Sequence, residues 1–74
     1  MVRFRQRFDS AGKIYIPKVL RKAGFAPEVE IAPNTRAAVM YPSDAPLDQV
    51  LASLRIIQQD LALSDVLSKE KRQR

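Results

Sequence analysis

The chain contains no cysteine and no histidine. Disulfides are therefore excluded, and so are the usual zinc sites, which draw on thiolate and imidazole ligands. The commonest general bases and nucleophiles are missing for the same reason. Two glycines in the whole chain are too few for a glycine-rich phosphate loop. Apolar runs are short. None approaches the roughly 18 residues needed to span a bilayer, and the opening MVRFRQRF lacks the apolar centre of a signal peptide. The acids are scattered, and Glu28 and Glu30 read as two solvated positions on a strand. From these gaps we expect no enzyme, no cofactor, no metal and no membrane segment. The lack of cysteine also fits a reducing cytoplasm.

What is present is apolar enough to fold, at 46% hydrophobic residues. At 74 residues, however, the chain has little core to build. Domains of this size bury only about 60% of their unfolded surface. With disulfides and metals gone, oligomerisation is the remaining support, and we expect at least a dimer.

The charge is segregated. Met1 to Lys22 holds seven basic residues and one acid, Asp9. Ala23 to Ser68 holds two basic residues against six acids, and Lys69 to Arg74 holds four basic residues against Glu70. A positive field concentrated in one segment is the electrostatic footprint of a nucleic-acid binder.

The pattern along the chain predicts two hairpins and two helices. VRFRQRF alternates, with Val2, Phe4, Gln6 and Phe8 on one face and Arg3, Arg5 and Arg7 on the other. DSAG reads as a turn and KIYI as the returning strand. Pro17 suits a first helical position, and Gly24 a helix stop. Between them Lys18, Arg21 and Lys22 occupy one arc and Val19, Leu20 and Ala23 another. EVEIAP and RAAVMY predict a second hairpin turning at Asn34–Thr35. After YPSDAP, with Ser43 or Asp44 as cap, Leu47 to Leu61 reads as a helix. Leu47, Val50, Leu51, Leu54, Ile57 and Leu61 form one stripe; Ala52, Ile56, Leu63 and Leu67 form a sparser second one. Two stripes suggest a helix packed between partners. SKEKRQR reads as a frayed basic tail.

The stretch FDSAGKIYIPKVLRKAGF, Phe8 to Phe25, resembles the AbrB/MazE (SpoVT-AbrB) family of swapped-hairpin DNA-binding domains. The likeness rests on Asp9, Gly12, Lys13, Ile14 to Ile16, Pro17, Leu20, Arg21 and Lys22. It extends over Val2 to about Tyr41, excluding the C-terminal helix. The chain departs from the family in having Lys13 where Arg is common, and AGFAPEVEI where a Leu-Gly-Ile pattern is frequent. The resemblance implies a mostly β fold with some α: a dimeric swapped-hairpin β-barrel with a short hinge helix, here followed by the C-terminal amphipathic helix. The expected division is 1–42 for the DNA-binding domain, 43–68 for the amphipathic helix and 69–74 for the basic tail.

The function expected on these grounds is sequence-preferring binding of double-stranded DNA by a homodimeric transcription regulator of the cytoplasm and nucleoid. The expected contacts are Arg3, Arg5, Arg7, Lys13, Lys18, Arg21 and Lys22, with Phe4 and Tyr15 assigned to the core. The helix stripe Leu47, Val50, Leu51, Leu54, Ile57 and Leu61 would serve oligomerisation, up to a tetramer, or hold a partner. Two other functions fit the same sequence. One is an antitoxin whose C-terminal helix binds a protein toxin; the other is a non-specific, chromatin-like protein that coats DNA.

Overall fold

The structure, a computed structural model, describes residues 2–72. Two units share the chain, one from Val2 to Ala45 and one from Pro46 onward. The elements in order are α1 (Lys18–Lys22), β1 (Val29–Asn34), β2 (Ala37–Pro42) and α2 (Leu47–Arg72).

β1 and β2 pair antiparallel, with Val29 opposite Pro42 and Asn34 opposite Ala37. Thr35 and Arg36 make the connection, one residue later than the Asn34–Thr35 turn expected. The Asn34 side chain accepts a 2.7 Å hydrogen bond from the Thr35 amide. Just beyond the ladder, the Ser43 amide donates to the Glu28 carbonyl at 3.2 Å. Bonded and non-bonded pairs alternate along an antiparallel ladder. The bonded pairs are therefore those of even-numbered β1 residues, and Pro33, opposite Ala38, sits at a non-bonded one. Its missing N–H would have pointed outward, which is why a proline is tolerated mid-strand.

This pair of strands is the whole sheet. The expected swapped-hairpin, AbrB-like barrel is not what the chain forms: the sheet has two strands and is open, and it is accompanied by two helices. The first expected hairpin is also missing. Its turn does form: the Asp9 carboxylate accepts from the amides of Ala11 (2.9 Å) and Lys13 (2.8 Å), the Asp9 amide donates to the Lys13 carbonyl, and Gly12 takes φ +78°. Residues 2–8 and 13–16 nevertheless carry no ladder. The reason is geometric. Continued from Asp9–Lys13, the register would place Gln6 opposite Ile16 and then run into Pro17, where α1 begins. Three pairs are too few for an isolated hairpin to hold in water, and Arg7 adds like charge diagonal to Lys13.

α1 is only five residues long, yet both its ends are defined. Pro17, at φ −53° and ψ 142°, is its N-cap rather than its first helical residue. At the other end the Phe25 amide donates to the Leu20 carbonyl and the Gly24 amide to the Arg21 carbonyl. That pair of bonds is a Schellman motif, and it requires the left-handed backbone that Gly24 supplies at φ +108°. Leu20 and Phe25, the apolar pair that usually closes the motif, are both half-buried.

α2 is 26 residues long and starts after Pro46, whose carbonyl accepts from the Gln49 and Val50 amides. Neither Ser43 nor Asp44 caps it among the described hydrogen bonds; Asp48 supplies the acid of the first turn. The helix continues through Arg72, so residues 69–72 of the expected tail are helical, and Gln73 and Arg74 lie outside the described residues. Lys69 and Asp65 form an exposed i,i+4 ion pair at 3.2 Å, a contact that adds little stability in water. Among the described residues no hydrophobic side chain is buried. Phe4 and Tyr15, expected in a core, are 49% and 59% exposed.

Candidate nucleic-acid interface

The seven cations assigned to DNA contact are all exposed. They fall into two groups with different local order. Arg3, Arg5 and Arg7 lie in a segment without helix or ladder, so nothing in the backbone enforces the alternating face that their spacing suggests. Lys18, Arg21 and Lys22 lie on α1, where the backbone is fixed at both ends, and Lys13 is held in the turn that Asp9 caps. Lys18, Arg21 and Lys22, at i, i+3 and i+4, share one side of the helix. No hydrogen bond or ion pair among the described residues joins the arginine group to the helix group.

Arg21 is the best-ordered of the seven. Its Nε donates to the Ile16 carbonyl at 3.0 Å and its Nη2 to the Tyr15 hydroxyl at 3.1 Å. The guanidinium carbon lies 5.4 Å from the centroid of the Tyr15 ring, within cation–π range. These contacts pin the side chain against residues 15 and 16 and leave its Nη1 edge without a hydrogen-bond partner among the described residues. A guanidinium fixed on one edge loses less freedom when its other edge grips a carboxylate or phosphate. Sequence reading missed this role for Tyr15 because alternation assigned it to a core. The signal that could have found it is a tyrosine two residues before a helix-starting proline, with an arginine one turn into the helix.

Asp9 is the only acid in this part of the chain, and its carboxylate is spent on backbone amides of its own turn. It forms no ion pair with these cations among the described residues.

Family models, curated proteins and solved structures yield no match to this chain.

Among the described residues no helix is long and apolar enough to cross a membrane, and no group of acids is placed to hold a metal ion. Replacing Tyr15 by Phe tests the pinning of Arg21. The Tyr15→Phe variant keeps the ring but loses the hydroxyl acceptor, a change on the order of 1 kcal/mol or less at an exposed site. The Arg21 Nε–H resonance is expected to shift and exchange faster with solvent in NMR spectra of the variant. An unchanged resonance would show that the Tyr15 hydroxyl does not help to hold the guanidinium.

Proposed function

We propose that the chain binds double-stranded DNA as a homodimeric, sequence-preferring transcription regulator of the cytoplasm, using Arg3, Arg5, Arg7, Lys13, Lys18, Arg21 and Lys22. One observation carries the reading: seven exposed cations fall within the first 22 residues, and the single acid among them is engaged by its own turn. Such a segment attracts a polyanion, and most of its affinity would come from released counterions. Lys18 and Lys22 are suited to phosphate contact, as point charges on mobile stems. Arg21, held at Nε and Nη2, has the geometry to offer its free edge to a phosphate or to a guanine in the major groove. The arginines at 3, 5 and 7 would follow the backbone of the duplex, since no helix or ladder sets their segment against it.

The test is a titration of labelled duplex followed by anisotropy at several salt concentrations, with wild type and Arg21→Ala. The DNA should include the protein's own upstream region and a scrambled control. Binding that weakens with salt, prefers the upstream fragment and drops for Arg21→Ala is the expected result. Equal binding to both fragments would replace the regulator with a coating protein. No binding at about 0.15 M salt, where the Debye length is near 8 Å, would end the DNA reading.

A further inference from the structure

We propose that Tyr15 is a positioning residue for sequence readout. With the Ile16 carbonyl it holds Arg21 so that the outer end of the guanidinium meets the O6 and N7 acceptors of a guanine in the major groove. This role rests on the DNA-binding reading above and deepens it: it names the base that is read and the residue that aims the reader.

The placement follows from the course of the chain. Helical side chains lean toward the N-terminus of their helix. Arg21, the fourth residue of α1, therefore reaches back over the residues that precede the helix. Pro17 sets the angle at which they enter, with φ at −53°. Nε of Arg21 donates to the Ile16 carbonyl at 3.0 Å, and Nη2 donates to the Tyr15 hydroxyl at 3.1 Å. Nε and one hydrogen of Nη2 form one edge of the planar fork, and that edge is taken. The end formed by Nη1 and the second hydrogen of Nη2 has no hydrogen-bond partner among the described residues.

Direction is what this arrangement adds. Of the seven exposed cations in the first 22 residues, Arg21 alone makes side-chain hydrogen bonds among the described residues. The other six suffice for phosphates, which attract any nearby charge. A guanine edge asks for more: O6 and N7 accept from two N–H groups in one plane. A lysine at position 21 offers the same charge without that fork. Tyr15 itself need not touch the duplex. Without its hydroxyl, Nη2 loses its anchor, and the fork is free to swing away from the base while its charge remains.

The test follows anisotropy of labelled duplex across several salt concentrations, with the full chain as wild type, Tyr15→Phe, Arg21→Lys and the double variant. The duplexes are the protein's own upstream region, a scrambled control, and upstream versions with 7-deazaguanine, which lacks the N7 acceptor, at one guanine after another. Wild type is expected to prefer the upstream region and to lose on the order of tenfold in affinity at a guanine that is read. Tyr15→Phe is expected to lower that preference on the order of threefold and to blunt the response to 7-deazaguanine, with the salt slope unchanged. Arg21→Lys should remove both effects, and adding Tyr15→Phe to it should change nothing further.

A wild type that binds no duplex, or binds both regions equally, would overturn the regulator reading and this role with it. A wild type that prefers the upstream region would overturn this role alone in any of three cases. No guanine responds to 7-deazaguanine; Tyr15→Phe keeps the full preference or weakens both regions alike; or its effect persists beside Arg21→Lys.

Discussion

Replacing Arg3, Arg5 and Arg7 together by Ala is expected to weaken duplex binding by on the order of a hundredfold at about 0.15 M salt. The figure follows from counterion release. Each phosphate contact contributes a slope of about −0.9 in log K against log salt, so three contacts contribute about −2.7. At about 0.15 M that slope amounts to roughly two decades of affinity. The same variant should therefore show a salt dependence shallower by about 2.7. Its binding should change little between sequences, because phosphate contacts carry no base information. Arg21→Ala is expected to behave differently, losing preference between fragments as well as affinity. A triple variant that keeps the wild-type slope would remove residues 3–7 from the interface, whatever its affinity. The measurement is safe from folding artefacts, since the segment has no helix, no ladder and no buried side chain to lose.

The second large effect concerns α2. Dilution of the wild-type chain is expected to melt most of its helix. Isolated helices draw little stability from propensity alone, and long ones in proteins depend on packing of an apolar face. α2 supplies 26 helical residues against five in α1, so far-ultraviolet circular dichroism reads almost only this element. A folded element that exists through association must lose stability as protomer concentration falls. Two substitutions separate the Leu47–Leu61 stripe from general propensity. Leu54→Asp and Ile56→Asp place the same residue near the middle of the same helix and carry similar intrinsic costs. Leu54 lies in the stripe of Leu47, Val50, Leu51, Leu54, Ile57 and Leu61, and Ile56 in the sparser one opposite, so Leu54→Asp should lose the helix at concentrations where Ile56→Asp retains it. Equal loss in both, or a wild-type signal independent of concentration, would show that α2 stands alone.

Helix and hairpin signals in this sequence were readable in proportion to how local their physics is. The stop at Gly24 was legible because a left-handed backbone needs glycine, and the turn at Asp9–Gly12 because an aspartate caps its own backbone. Leu47 to Leu61 was legible from its period. The β1–β2 hairpin was legible from the alternation around Val29 and Ile31, with its turn displaced by one residue. The absence of the expected barrel was not legible, because a barrel required VRFRQRF and KIYI to find long-range partners, and alternation says only that a segment could form a strand. Here the turn between them closes but Pro17 arrives too soon for a ladder to grow. For the candidate interface, residue types and exposure were readable from charge pattern. The Arg21–Tyr15–Ile16 contact was not, since it depends on how α1 folds back on the residues before it.

The two prolines of the sheet have a consequence for the behaviour of the protein in concentrated solution. Pro33 and Pro42 both occupy non-bonded positions of the ladder, one on each strand. Each therefore removes a donor from the outward rim of its own strand. A further strand, from this chain or any other, would meet a gap in the donor row on either side. Open two-stranded sheets are natural templates for fibre growth, and proline on the rim is a known protection against it. The hairpin is thus built to stay a hairpin: the protein can carry so much uncovered apolar surface with less risk of polymerising through its backbone.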